Sequence, residues 1–458
     1  MKNPNFLIFF TDQQRWDTSK LHGNTEDLTP NYDFMARSGT HFFNAFTNQP
    51  VCGPARSIMQ TGLYPTTSGC FRNQIPLKKN ENTVAKILSK NGYNTGYIGK
   101  WHLANPENFG YVLKEERGGY DFWLAANMLE FVSDAYDTRL YNEKNEEVKL
   151  IGHRIDAITD EAIKYLKEFK NKNFFLFLSF LEPHHQNHLD AYIPPRGFKN
   201  RFQNAWIPVD LRSLGGSSYI HLDGYYGIVK KLDDALGRIY DALFSLNLLE
   251  DTILIYTSDH GNHFKTRNRE YKRSPHDSNI RIPLAFHGRE FTSCKEVHKL
   301  VSLVDIVPTI LDVCEIDYSK NFEGETLRPL LFKNERKSEN EIFVQISEDI
   351  IGRAIRTDRW KYCIVSSKGD PWTDGFSDEY EEYCLYDLEN DPHELDNLVD
   401  YKSHENVLAE LRKELIKKIK RIEGKQVKIS YNKNKKQHNQ LFPTDEFPYY
   451  PTYLKKFR

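Results

Sequence analysis

The sequence predicts an α/β fold, a sheet with helices on both faces, followed by a smaller C-terminal α+β subdomain. Three observations carry this reading. Short continuous apolar runs recur at residues 6–10, 174–181 and 252–257, as expected of strands buried on both faces. Helical periodicity lies between them, and strands that alternate with helices pack those helices on each side of the sheet. After about residue 337 the texture changes to short strand-like runs followed by one helix.

The elements follow in chain order. Residues 6–10 form the first buried strand. A helix over 83–91 opens on Thr83 as N-cap and stops at Gly92. Residues 93–98 form a strand that leads into Gly99-Lys100-Trp101-His102. The run 174–181 is the next strand. Residues 224–249 place Tyr225, Val229, Leu232, Leu236, Ile239 and Leu243 on one helical stripe, and 252–257 returns as a strand. Beyond 337, the stretches 341–347, 360–365 and 383–388 read as short strands and 403–422 as a helix. This predicts a catalytic domain over 1–337, a subdomain with a short antiparallel sheet and a helix over 338–424, and a basic, aromatic tail over 425–458. The tail holds eight basic and two acidic residues, and reads as a surface arm packed by its aromatics. An anionic-substrate rim or a subunit contact is the alternative.

Composition bounds the function. At 458 residues with 39% hydrophobic and 13% aromatic side chains, the chain is neither disordered nor collagen-like. A formal charge of −2 gives no global basic field, so nucleic acid is not expected as a partner. The six cysteines are too sparse for a disulfide scaffold and contain no CxxC pair. The apolar runs fall short of the roughly 20 residues of a membrane span, so no membrane partner is expected. Residues 6–10 are also too short for a signal-peptide core. The expectation is a soluble protein, cytoplasmic as the sequence stands, and periplasmic or secreted if a leader has been removed.

The chemistry sits where the strands end. Residues 6–10 lead into Thr11-Asp12-Gln13, 174–181 into Glu182-Pro183-His184-His185, and 252–257 into Ser258-Asp259-His260-Gly261. Ligands of open α/β sheets bind at the carboxyl ends of strands. These endings therefore bring two carboxylates, an amide and imidazoles to one edge, a set that suits a hard divalent cation. A second cluster is Cys52-Gly53-Pro54-Ala55-Arg56. Pro54 marks the start of a helix with Cys52 just ahead of it, which makes Cys52 an activated thiol or part of an anion site. In a third, Lys100 and His102 alternate to one face of a strand end, an arrangement that suits a sulfate or phosphate ester. The fourth is a cationic loop, Lys265, Arg267, Arg269, Lys272 and Arg273, directly after Asp259-His260. It favours an anionic substrate.

Together these residues resemble the formylglycine-dependent type I sulfatases of the alkaline-phosphatase superfamily. Cys52-Gly53-Pro54-Ala55-Arg56 matches the family's Cys-x-Pro-x-Arg modification signature, and Thr61-Gly62 its extension. The stretch from Leu385 through Asp391-Pro392-His393-Glu394 is similar to the family's C-terminal subdomain motif. The resemblance implies a large mixed sheet sandwiched by helices. It implies that Cys52 is oxidised to formylglycine by a formylglycine-generating or anaerobic sulfatase-maturating enzyme. The hydrated aldehyde then attacks the sulfur of a sulfate ester and later expels sulfate. Carried over, Asp12, Gln13, Asp259 and His260 hold Ca²⁺, or Mg²⁺ or Mn²⁺, together with residue 52. Arg56 and Lys100 stabilise charge, and His102 is the base of the collapse step. His184 and Lys272 bind sulfate and assist the leaving oxygen, with His185 as an alternative to His184. Asn73 falls where relatives place a substrate-binding Asn.

Two positions depart from the commonest pattern. Gln13 replaces a second Asp and His260 replaces an Asn, as in a branch that includes phosphonate monoester hydrolases. That branch supplies the second reading, a phosphonate monoester or phosphodiester hydrolase with the same nucleophile. Its members carry uncharged residues where this chain has Lys100 and His102, which favours the sulfatase. A non-catalytic sulfated-glycan-binding protein is the third reading. The preferred substrate is a sulfated polysaccharide or oligosaccharide, and Trp101, Trp206 and Tyr225 are the exposed aromatics expected to face it.

Overall fold

Strand 5–11, Asn-Phe-Leu-Ile-Phe-Phe-Thr, is buried along its whole length, which requires strands on both sides and layers above and below. A computed structural model describing residues 3–317, 322–333 and 340–431 supplies both. The strand runs parallel between Phe174–Ser179 and Thr252–Ser258 in a ten-stranded sheet. Asn94–Lys100 and Phe122–Ala126 continue the parallel order beyond Phe174–Ser179. Thr138–Asn142 and Glu147–Leu150 close that edge antiparallel. On the other side Leu284–His287 pairs antiparallel with Thr252–Ser258, so the sheet is mixed. Its two faces bury separate apolar layers, one under the helices Arg154–Phe169 and Ser218–Ser245 and the other under Cys52–Thr61 and Ile306–Val313.

The helix read as 224–249 spans Ser218–Ser245. Its six stripe residues are all buried as expected. It starts earlier because Gly224 is an interior residue, where a Cβ would lie 2.8 Å from the Tyr192 carbonyl oxygen. The first short helix is Val84–Lys90, with the Thr83 side chain accepting from the Lys86 amide as a cap.

The C-terminal unit is a sheet of Glu341–Ile346, Ile351–Thr357, Trp360–Ser366 and Glu379–Asp387, all antiparallel, covered by the helix Glu405–Glu423. Ile351–Thr357 escapes sequence reading because Arg353 and Arg356 interrupt its apolar character. Both are buried, Arg353 on Glu423 and Arg356 over the Phe46 ring. Lys428–Ser430, within the segment read as a tail, adds a fifth, parallel strand. The expected boundary at 337/338 and tail residues 432–458 lie outside the described residues. All six cysteines are free thiols. Among the described residues no helix is long and apolar enough to cross a membrane.

Candidate active site

Parallel strands end in register, so their following residues meet at one edge. Asp12 and Asp259 leave adjacent strands, and the Gln13 amide donates to Asp259 Oδ1 at 3.0 Å. The Asp12 amide in turn donates to the Glu182 carbonyl at 3.0 Å, tying in the loop that carries His184. Gly99 makes the approach of the next strand possible. Its φ is +109°, and a Cβ there would lie 1.8 Å from the Ser179 carbonyl oxygen.

Cys52 is the first residue of the fully buried helix Cys52–Thr61, inside it rather than just ahead of it, with Val51 as N-cap and Pro54 two residues on. Its thiol is 2.7 Å from Lys272 Nζ, 3.4 Å from His260 Nε2 and 3.6 Å from Asp12 Oδ1. One turn on, Arg56 donates to Asp12 Oδ2 at 2.9 Å and to Ser179 Oγ at 2.7 Å. Lys100 Nζ reaches Asp12 Oδ2 at 2.8 Å. Burial and the Asp12 charge both push the Cys52 thiol up. Lys100, Lys272 and His260 outweigh them and hold it well below the ordinary thiol range.

Asp12, Cys52, Asp259 and His260 each offer a ligand atom, all within 4.8 Å of one another. The residues fit a bound divalent cation in three respects. Both polar atoms of the Gln13 side chain and Asp259 Oδ2 are buried without hydrogen-bond partners. His260 Nδ1 lies 2.8 Å from the Gly261 carbonyl, so it is the protonated nitrogen and Nε2 faces the cluster with its lone pair. Burial and then the neighbouring Asp12 push Asp259 up to about 7, the strain of two carboxylates sharing a site that a cation relieves.

The remaining predicted residues line an open cleft above Cys52. His184 directs Nδ1 to the His185 carbonyl at 2.7 Å and Nε2 to Lys272 Nζ at 3.4 Å. Burial, then His185 and Lys272, keep its imidazole well below its usual range and neutral. His185 stacks on His184, with ring centroids 4.4 Å apart and planes within 15°, and meets Tyr271 at a tilt of 39°. Asn73 Oδ1 caps the catalytic helix by accepting from the Gly53 amide at 2.8 Å. Lys100 and His102 do reach one place, but not through strand alternation. The strand ends at Lys100, His102 has a φ of +62°, and both side chains meet at Glu130.

Two expectations are corrected. Trp101 and Tyr225 are core residues, because Trp101 packs on Tyr97 and Trp123 while the Tyr225 hydroxyl donates to the Gln13 carbonyl. Trp206 is half-buried. The loop after His260 is not one cationic surface. Lys265 pairs with Asp190, Arg267 donates to the His393 carbonyl and Arg273 pairs with Glu348, while exposed Arg269 lines the cleft and Lys272 is directed at Cys52.

Sequence reasoning missed Glu130, Ser179 and Glu348. Glu348 belongs to the C-terminal unit yet accepts from the Asn73 amide at 2.6 Å and from Arg273 at 2.7 Å, so that unit completes the cleft wall. None of the three lies in a motif. Only their long-range partners reveal them.

A model of the Sulfatase family matches residues 4–316. The chain belongs to the Sulfatase family. The C-terminal part of this sulfatase, residues 269–421, also matches the model of the N-sulphoglucosamine sulphohydrolase C-terminal region. The sulfatase is 30% identical over 398 residues to an ulvan-active sulfatase of Formosa agariphila, covering 83% of this chain and 77% of the relative. It is 28% identical to an arylsulfatase of Clostridium perfringens, covering 91% and 94%. In fold it is similar to the Bacteroides fragilis protein yidJ, described as a sulfatase, with a TM-score of 0.80 at 23% identity, covering 92% and 97%. The phosphonate monoester hydrolase of Agrobacterium radiobacter shares the fold at a TM-score of 0.70 and 20% identity, covering 90% and 95%.

Proposed function

We propose that this sulfatase removes sulfate groups from a sulfated polysaccharide or oligosaccharide at a nucleophile generated from Cys52. The observation that carries the reading is the placement of Lys272 2.7 Å from the Cys52 thiol, with Arg56 and Lys100 fixed on the adjoining Asp12. Fixed cations in a buried site stabilise charge that grows on ester oxygens, and they need no reorganisation to do so. The cleft above them is open to solvent and lined by Asn73, His184, Lys272 and other polar side chains, which suits a sulfated sugar chain. The ulvan-active relative supports the polysaccharide class.

Asp12, Gln13, Asp259, His260 and residue 52 would hold the cation, Ca²⁺ by preference and Mg²⁺ or Mn²⁺ as alternatives. Matured to formylglycine by its transient maturing enzyme, residue 52 supplies a hydrated aldehyde as nucleophile, and the cation supplies Lewis-acid polarisation. Lys272 Nζ binds a sulfate oxygen, and with His184 it assists the departing alcohol oxygen. His185, stacked on His184, is the alternative for that role and lines the substrate cleft. His102 turns Nδ1 toward Glu130 and takes up a proton at Nε2. Asn73 keeps its NH₂ group for substrate, because its carbonyl oxygen is committed to Gly53. The domains are read as catalytic 1–337, subdomain 338–424 and tail 425–458, with Lys428–Ser430 at the start of the tail joining the subdomain sheet.

The second reading, a phosphonate monoester or phosphodiester hydrolase, rests on Gln13 and His260 in the ligand set. Parallel assays on aryl sulfate and aryl phosphonate esters separate the two, and higher efficiency on the phosphonate selects the second. Desulfation of defined sulfated oligosaccharides, followed by mass spectrometry, tests the substrate class. Peptide mass spectrometry after co-expression with a maturing enzyme reads residue 52. An unmodified thiol there supports a non-catalytic glycan-binding protein. Cys52→Ala is expected to fold and to lose turnover, and retained turnover removes Cys52 from the mechanism.

A further inference from the structure

We propose that Glu130 is a positioning residue that holds Lys100 and His102 in place beside Cys52. The inference rests on the sulfatase reading of those two side chains. Glu130 Oε1 lies 3.1 Å from Lys100 Nζ and 3.4 Å from His102 Nδ1, and the residue is 4% exposed. Its other oxygen, Oε2, is buried with no hydrogen-bond partner, and His102 Nδ1 is likewise buried with Glu130 Oε1 at ion-pair distance rather than in a hydrogen bond. A buried carboxylate with one oxygen unsatisfied is destabilising, so stability alone does not account for it.

The backbone explains why such a residue is needed. Once His102 turns to a positive φ beyond the strand, nothing in strand geometry aligns it with Lys100. Glu130 arrives from the one-turn helix Leu129–Val132, which follows the neighbouring strand, and meets both. Its own segment is clamped. Gln186 Nε2 donates to the Glu130 and Ser133 carbonyls at 3.3 and 3.1 Å, and Arg154 Nη1 donates to the Ser133 carbonyl at 2.9 Å. Arg154 also pairs with Glu182 at 2.8 Å, so one buried clamp fixes the Glu130 segment and the loop bearing His184.

The chemistry follows from those contacts. Lys100 is shared between Asp12, at 2.8 Å, and Glu130. Without Glu130 its ammonium group would pair with Asp12 alone and compete for a carboxylate assigned to the cation. A carboxylate facing His102 Nδ1 favours the proton on that nitrogen and leaves Nε2 as the basic atom toward the cleft.

The test compares Glu130→Gln and Glu130→Asp with the parent. On the matured enzyme, Glu130→Gln should lower kcat roughly 10–100-fold, the range for loss of an outer-shell partner. KM and the thermal midpoint should stay near the parent values, and Glu130→Asp should recover part of the loss. On the unmatured protein, isotope-labelled histidine NMR should show His102, assigned through His102→Gln, as the Nδ1–H tautomer in the parent and as mixed tautomers in Glu130→Gln. An unchanged kcat, a loss that tracks lowered thermal stability, or an unchanged tautomer overturns the inference. Failure of the sulfatase reading looks different. The matured parent itself would then turn over no sulfate ester, whatever the tautomer result.

Discussion

Lys272 Nζ lies 2.7 Å from Cys52 Sγ, although 220 residues separate them in the chain. The contact joins the N-terminal turn of the catalytic helix to the loop that follows Asp259-His260. It sets the Lys272 ammonium nitrogen beside the thiol, which Asp12 and Arg56 approach from within the fold.

Lys272→Met should therefore keep the fold and lower kcat/KM on an aryl sulfate by about 100–1000-fold, the cost of removing one fixed stabilising donor. Steady-state kinetics alongside a thermal melt checks this. A change below about threefold assigns Lys272 a structural role only.

Cation binding should be visible as stability. A ligand at a hundred times its Kd stabilises the folded state by about 2.7 kcal/mol. Chelator-treated protein should therefore melt lower and regain its midpoint with Ca²⁺. Asp259→Asn should lose the response, because it removes a buried carboxylate of the ligand cluster. Melting curves with Ca²⁺, Mg²⁺ and Mn²⁺ decide it, and no shift with any of them rejects the site.

The two sheets are joined by charge as well as packing. Lys361, on the C-terminal sheet, is buried between Asp277 of the catalytic part and Glu394, the latter at 2.5 Å. Burial alone would push Asp277 up, but Lys361, then Arg356 and Arg281, bring it down to about 2. A carboxyl depressed on folding stabilises the protein above its ordinary range near 3.8 and loses that contribution as pH falls toward 2. Lys361→Met should cost about 3–5 kcal/mol by stranding buried carboxylates. Denaturant titrations from pH 7 down to about pH 3 should show the difference from the parent shrinking as the carboxylates protonate. A variant as stable as the parent at neutral pH contradicts the account.

Gly99→Ala should be among the most damaging single-methyl additions in the chain. The new Cβ meets the Ser179 carbonyl at 1.8 Å in a left-handed backbone, and Ser179 is the residue on which Arg56 rests. A loss above about 3 kcal/mol is expected from overpacking and strain together. Soluble yield and thermal midpoint report it, and a midpoint within a degree or two of the parent refutes it.

The central strands are legible from the residues alone, because strands buried on both faces must be continuously apolar, and 6–10, 174–181 and 252–257 are. So are the site's raw materials. Asp12, Asp259, His260 and Cys52 sit at strand ends or a helix start, where local chemistry is visible in short motifs. Ile351–Thr357 was not legible, because its arginines look solvent-facing until Glu423 and the Phe46 ring are seen beside them. Trp101 and Tyr225 were misread for the converse reason, since an aromatic shows its size in the sequence but not its neighbours.

Which charges act on the cleft is set by folding. Of the five cations in the loop after His260, Arg267 turns to the His393 carbonyl, Lys265 and Arg273 are paired with carboxylates at the cleft wall, Arg269 lines the cleft and Lys272 reaches the thiol. Glu130 and Glu348 join the site from segments without a motif. Local patterns report burial and turn chemistry. Electrostatic partnership between residues far apart in the chain depends on distances of a few ångströms that only folding sets.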